Sequence, residues 1–242
     1  MKQRHVSLIL LGLVILAWVF KPYSMLALQM VQQKAGGKKT IQDRIKEFSD
    51  VVEIRLTPYF KRAGIPYPPI YLAFVGLKHE KSLEVYAAAG DEKYRFIRAY
   101  PILAASGKLG PKLQEGDRQV PEGLYRIESL NPNSLYHLSL RVNYPNDFDR
   151  SQARKDGRTN LGGDIMIHGN AVSIGCLAMG NEAAEDLFVL AALAGIQNVH
   201  VLFSPVDFRV RMLPALSDPT PKWTGTLHTM IKEELVKYKK GA

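Results

Sequence analysis

Residues 162–179 read GGDIMIHGNAVSIGCLAM and hold the single cysteine of a 242-residue chain. Ile165-Met166-Ile167 has the apolar character of a short strand that delivers His168 at its end. Gly169 lets the chain turn directly after the histidine, and Gly175 permits a second tight bend before Cys176. Cys176 follows His168 by eight residues, enough for a closed loop to return the thiol to the imidazole. In that arrangement an imidazolium lowers the thiol pKa and yields a nucleophilic thiolate, and the imidazole passes a proton to a leaving amine. Backbone N–H groups around Gly175 and Cys176 are candidates to hold an oxyanion. Residue types alone leave two readings open, a catalytic nucleophile or a buried small hydrophobe. One Cys and one nearby His fall short of the ligands of a closed zinc site, and a redox sensor ordinarily has a resolving cysteine. No metal or organic cofactor is implied.

Working outward, IYLAFVGL (70–77), SLEVYAAA (82–89) and YRFIRAYPIL (94–103) are strand-like runs separated by the polar breaks KHEK and GDEK. GLYRIESL (123–130) and LYHLSLRV (135–142) continue the pattern, with Asn131-Pro132-Asn133 as the expected joint, and NVHVLFS (198–204) completes it. Asn181 to Ala194 reads as a helix, with Asn181 as its cap and Glu182, Glu185 and Asp186 suiting its positive end. Upstream, Ile41, Ile45, Phe48, Val51 or Val52, Leu56 and Phe60 recur at helical spacing, and Pro58 is expected to start a second short helix. A terminal amphipathic helix is expected over Trp223–Lys239. The fold class is mainly β with flanking helices (α+β). The expected organisation is an anchor or signal segment (1–30), a linker and helical lead-in (31–68), a β-rich domain (69–206) and a C-terminal helical extension (207–242).

Lys2 and Arg4 precede an apolar run from Val6 to Phe20, which is followed by Lys21-Pro22. This is the plan of a signal peptide or a single anchor. With no small-x-small cleavage site directly after the run, an uncleaved membrane anchor over 6–20 is expected, with everything from about residue 31 outside the cytoplasm. That compartment ordinarily pairs cysteines, so a lone thiol there needs another reason to exist. The net charge of +9 suits an anionic surface or polymer. No zinc-finger spacing or aromatic RNA-binding signature accompanies it, so nucleic acid is not an expected partner.

Two segments break the strand rhythm. Residues 106–123 are rich in Gly, Pro and charge, and 143–163 (NYPNDFDRSQARKDGRTNLGG) reads as a long loop holding Arg150, Arg154, Lys155 and Arg158. Those charges are either a solvated face or a site for carboxylates, which arginine binds in bidentate fashion. His137 and His200 fall inside strand-like runs and read as structural, His79 sits in a polar turn, and His5 and His228 lie outside the β-rich domain.

The pattern Ile167-His168-Gly169 followed by Ser173-Ile174-Gly175-Cys176 resembles the signature of the YkuD-type L,D-transpeptidase catalytic domain family. Ser106-Gly107-Lys108 and Pro121-Glu122-Gly123 stand upstream in that family's order. The chain departs from the common pattern in having Ile174 where many members have a second histidine and Ala178 where many have Arg or Asn, with a shorter His-to-Cys spacing. These departures, together with Tyr144-Pro145-Asn146 and Asp149-Arg150, resemble the YafK-like branch. The resemblance implies a β-rich catalytic domain and acyl transfer on peptidoglycan stem peptides through a Cys176 thioester. It implies His168 as proton donor and acceptor. The motif does not fix the third polar contact to the imidazole, for which the Gly169 carbonyl is one candidate; Gly175 N–H is a candidate oxyanion donor, and Arg150, Arg158 and Ser173 are candidate substrate contacts. Hydrolysis, including release of a peptidoglycan-linked lipoprotein, is the implied alternative, and a non-catalytic wall-binding module is a further one.

Overall fold

In a computed structural model of the protein, residues 37–90, 93–173, 175–216 and 219–240 are described. The expected anchor at 6–20 lies outside them. Residues Lys39–Ala242 form one compact unit. Among the described residues no helix is long and apolar enough to cross a membrane.

Helix α1 (Ile41–Ala63) begins at a capping box: Thr40 Oγ1 accepts from Asp43 N–H, and the Asp43 carboxylate accepts from Thr40 N–H. It ends at Gly64, whose φ of 64° is the left-handed conformation a helix stop requires. Pro58 does not divide it, contrary to the sequence expectation. The bond that Pro58 cannot donate would go to the carbonyl of Ile54, and Ile54 is 75% exposed, so the missing bond falls on the solvent side of the helix, where it costs least.

Eight strands form one sheet: β1 (Tyr71–Leu77), β2 (Ser82–Ala88), β3 (Arg95–Pro101), β4 (Gly123–Ser134), β5 (His137–Val142), β6 (Met166–His168), β7 (Leu177–Ala178) and β8 (Val199–Ser204). Their order across the sheet is β3-β2-β1-β8-β4-β5-β6-β7. β1 pairs with β8 and β6 with β7 in parallel, and the other neighbours are antiparallel. β4 runs through Asn131-Pro132-Asn133, which were expected to be the joint, and the hairpin closes where Ser134 pairs with His137. The pairing shifts register between Asn131 and Ser134, and an irregularity of this kind accommodates a proline that cannot donate to a ladder.

Both faces of the sheet are covered. On one, α1 (Val52, Leu56, Phe60) and α3 (Asn181–Ala194; Leu187, Phe188, Leu190) close the larger core over Leu72, Phe74, Ile127, Leu140, Ile167 and Phe203. On the other, α4 (Thr224–Leu235) lays Leu227, Ile231 and Leu235 on Ala73, Val75, Leu77 and Leu202. Double coverage explains why the first two strands are buried along almost their whole length and read as continuous apolar runs.

The segment 143–163 is not a plain loop. It contains α2 (Asp147–Lys155), which is capped by Asn146 and Asp149 acting reciprocally. Asp149 is buried beside Tyr125, and burial pushes its carboxyl up to about 6.

The acidic residues at the start of α3 have a different role from the one expected of them. Asp186 is fully buried and accepts from Arg55 (2.6 Å) and Tyr100 Oη (2.8 Å), while Glu185 takes Arg55 (3.0 Å) and His137 Nε2 (2.9 Å). This cluster fastens α1 to α3 and to the β4–β5 hairpin. Arg55→Ala strands a buried carboxylate, so a loss of about 3 kcal/mol is expected in urea unfolding at pH 7. Burial already raises the Asp186 carboxyl, and losing Arg55 raises it further. The folded variant then binds more protons than its unfolded chain, so the deficit should shrink as pH is lowered toward 5.

Candidate active site

His168 and Cys176 are positioned by the last two strands of the sheet. β6 and β7 pair in parallel with Ile167 opposite Leu177 and His168 opposite Ala178. Ile167 and Leu177 both point into the larger core. Alternation along β7, carried back one residue, puts Cys176 on the face of Ala178 and therefore of His168. Gly169 is required here by close approach: a Cβ on it would lie 2.7 Å from the Tyr136 carbonyl oxygen and 2.8 Å from Asn181 Oδ1. Gly175 is required by its φ of 95°.

The imidazole is buried and tightly held. His168 Nδ1 lies 2.6 Å from the Gly169 carbonyl oxygen, and the Tyr136 ring packs on it with centroids 4.6 Å apart. A carbonyl only accepts, so Nδ1 carries the hydrogen and Nε2 is left with its lone pair. Burial pulls the imidazole pKa below its ordinary value, and the Gly169 carbonyl offsets this only in part. The Gly169 carbonyl thus takes the orienting place expected of it.

Cys176 is partly buried, and its Sγ–H points at the Asp164 carbonyl oxygen, 3.5 Å away. Burial pushes the thiol pKa up, backbone hydrogen bonding at Met166 opposes this, the Asp164 carboxylate adds to it, and Lys112 draws it down. Lys112 is itself held by Asp117 (2.5 Å) and the Gln114 carbonyl (2.9 Å). His168 is not among the groups that shift the thiol, and burial acts against the charged form of each side chain, opposite in direction to the expected thiolate–imidazolium pairing.

The main chain at the cysteine is fixed by two hydroxyls. Ser173 Oγ accepts from Cys176 N–H (3.0 Å) and donates to the Cys176 carbonyl (2.5 Å). Ser106 Oγ accepts from Gly175 N–H (2.6 Å) and donates to the Arg118 carbonyl (2.8 Å). The Gly175 N–H, a candidate oxyanion donor, is therefore already engaged, and Ser173 shapes the turn. Asn181 is the first residue of α3 and does not cap it; its Oδ1 accepts from Asn170 N–H, which ties the helix to the turn after His168. The cap position belongs to Gly180.

The two arginines expected to bind substrate are not brought together. Arg158 donates to the Leu113 carbonyl and to Asp156 and lies over the Trp223 ring, in the wall of a cavity of about 470 Å³. These partners engage its guanidinium in holding α2 and the adjoining loops. Arg150 is exposed and lines a different groove of about 740 Å³. His228, read as lying outside the domain, is buried with Nε2 2.8 Å from Glu122 Oε2. Lys112, Tyr136, Asp164 and Asn181 were not singled out as site residues from sequence. Only Asp164 and the glycines of the quoted stretch stand close enough in the chain to have suggested themselves. Among the described residues no group of three or more His, Cys, Asp or Glu is placed to hold a metal ion.

Burial of both groups makes a definite forecast. Iodoacetamide alkylation of Cys176 should rise with pH along a curve displaced above that of an ordinary cysteine, about 8.5. His168→Ala should leave that curve nearly in place, because no imidazolium is lost. A curve that moves upward in the variant would mean the two side chains are ion-paired at rest.

The YkuD family, described as the L,D-transpeptidase catalytic domain, matches residues 73–202, more than half of the chain. A protein of Escherichia coli K12 named "Putative L,D-transpeptidase YafK" is 37% identical over 122 residues, covering 50% of this chain and 46% of that protein, so the chain spans about half the length of this relative. Among solved structures, the helical cell shape determining protein Pgp2 of Campylobacter jejuni is 18% identical, with a TM-score of 0.46 over 77% of this chain and 78% of that one. L,D-transpeptidase 1 of Mycobacterium tuberculosis is 16% identical, with a TM-score of 0.32 over 55% and 61% of the two chains. On the family match, whose bounds enclose both His168 and Cys176, this chain belongs to the YkuD L,D-transpeptidase catalytic domain family.

Proposed function

We propose that the protein performs thiol-dependent acyl transfer on peptidoglycan stem peptides, with Cys176 as nucleophile and His168 as its proton carrier. The single observation that most supports this is the contact of His168 Nδ1 with the Gly169 carbonyl at 2.6 Å, which turns Nε2 away from that carbonyl on a side chain whose sheet face Cys176 shares. Sγ attacks a peptide carbonyl and its proton passes to Nε2. The C–N bond breaks, the proton moves from Nε2 to the departing amine, and the acyl group remains on Sγ as a thioester. An incoming amine then gives a cross-link, or water gives hydrolysis. Ile174 and Ala178, which stand where many family members have His and Arg or Asn, keep the hydrolytic outcome open. A peptidoglycan-linked lipoprotein is then one substrate. The apolar run 6–20, flanked by Lys2 and Arg4, supports an anchor in the inner membrane with the catalytic domain in the periplasm.

Incubation with stem peptides should add the acyl mass to the wild-type chain and none to Cys176→Ala, with turnover falling at least about a thousandfold while stability changes by less than about 1 kcal/mol. Product analysis of treated sacculi separates the acceptors: new cross-links mean an amine, released peptides mean water. Because burial lowers the imidazole pKa, neutral His168 persists into more acidic solution. The acid limb of kcat/KM should therefore fall below the ordinary histidine value of about 6.5. Membrane fractions resistant to salt extraction should contain the full chain; soluble protein beginning near residue 28 would count against the anchor.

A further inference from the structure

The Cys176 thiol rests against the chain that enters β6. Sγ–H donates to the Asp164 carbonyl at 3.5 Å, and the Met166 backbone also acts on the sulfur. Asp164 has a φ of 55°, in the left-handed region that a side chain ordinarily disfavours and that Asp and Asn tolerate best. The direction of its carbonyl depends on that backbone setting. Gly162 and Gly163 stand just before it and supply no side chain to brace the turn. Bracing comes from β5: Val142 N–H donates to the Ile165 carbonyl, and Arg141 Nη1 pairs with the Asp164 carboxylate at 2.7 Å. Arg141 is opposite Met166 and so shares the face of His168. Its Nε lies 2.7 Å from Glu128 Oε2, near enough for an ion pair but without hydrogen-bond alignment. The guanidinium is thus held between a carboxylate of β4 and one at the entrance of β6. An ion pair as exposed as Arg141–Asp164 contributes little to stability, so holding the fold together does not account for it.

We infer that Arg141 is a positioning residue for the Cys176 nucleophile: its pairing with Asp164 keeps residue 164 in the left-handed conformation that turns the carbonyl to Sγ, and it cancels the negative charge beside the sulfur. Both effects serve attack. A fixed carbonyl holds the sulfur in one place, and a balanced carboxylate removes an anion that would oppose the thiolate as its proton leaves. The other charged or titratable groups toward the sulfur are His168 of β6 and, on the 106–123 segment, Lys112, which Asp117 holds, and the exposed Glu115 and Arg118. Glu128 reaches it only through Arg141. The catalytic part of this role rests on the proposed function; the geometry and the charge balance do not.

Iodoacetamide alkylation reads the thiol without substrate. On the full chain at neutral pH and low salt, Arg141→Gln leaves Asp164 unbalanced and should slow alkylation about two- to fivefold. Asp164→Asn, which tolerates the same backbone, leaves Arg141 unbalanced and should speed alkylation by a similar factor. The double variant should return to the wild-type rate. A disordered turn would move both single variants the same way, so opposite signs with recovery are the mark of a charge-balancing pair. An unchanged rate in Arg141→Gln, changes of one sign, or no recovery in the double variant overturns the inference. Turnover of a stem peptide gives the second reading: Arg141→Gln should lower kcat about tenfold with KM nearly unchanged, and Arg141→Lys should regain part of it. A rise in KM alone would place Arg141 on the substrate and equally overturn the inference. Thioester formation on the wild-type chain is read separately by intact mass. Opposite-signed alkylation without a thioester would sink the proposed function and leave the positioning of the thiol standing; a thioester with a flat alkylation cycle would do the reverse.

Discussion

The parallel pairing of β6 with β7 is the contact on which the site depends, and it is too short to stand alone. Three residues meet two, which cannot fix the direction of two side chains against the entropy of the loop between them. The pair is therefore held from every side by side chains acting on main chain. Asn181 takes the Asn170 amide, Ser173 brackets Cys176, and Ser106 takes the Gly175 amide from a segment 69 residues earlier. The Ala104–Ala178 bridge adds a main-chain tie from that same upstream segment. Each of these bonds satisfies a backbone group that the short ladder leaves over, so polar satisfaction and positioning are met by the same few atoms.

A buried thiol and a buried imidazole face a choice between charge separation and desolvation. Taking two ions out of water costs several kcal/mol each, and their attraction offsets that only with close, well-aligned contact. Here the thiol hydrogen is directed to the Asp164 carbonyl and the imidazole hydrogen to the Gly169 carbonyl, so both groups are satisfied while neutral. In the proposed reaction charge would develop at His168 only as the sulfur attacks, where the Gly169 carbonyl dipole already faces the imidazolium that would form. A motif shows which residues can exchange a proton. It does not show where the proton rests, because burial decides that.

The strands were legible because they alternate or run apolar between polar breaks, and the bounds of α3 followed from its composition and spacing although its cap did not. The misreadings share a cause. Asn181, Glu185 and Asp186 have the residue types of a helix start, yet their side chains bond to Asn170, His137, Arg55 and Tyr100 from other elements. The same oxygen serves a cap or a distant partner, and only tertiary packing selects between them. The reverse error hid α2, whose Asn146–Asp149 capping box was visible in the sequence but lay among charges that suggested a loop. Pro58 was read as a break because the sequence does not show that the residue four positions earlier, Ile54, lies on the exposed side of the helix.

The family-matched segment 73–202 does not position its own chemistry unaided. Glu122 is buried and takes three donors at once: Lys78 Nζ, the Gly110 amide and His228 Nε2. Burial alone would raise its carboxyl, and these partners outweigh burial and hold it below the usual carboxylate range. His228 belongs to α4, while Gly110 and Glu122 belong to the segment that carries Ser106 toward Gly175. A buried carboxylate with a donor missing is costly, so this segment keeps its path only while α4 is docked. On the other face, Arg55 and Phe48 of α1 reach Glu185 and His137, and His137 is the neighbour of the tyrosine that packs on His168. The first and last described helices thus reach the site through two polar contacts, one on the segment that carries Ser106 and one on the hairpin that carries Tyr136.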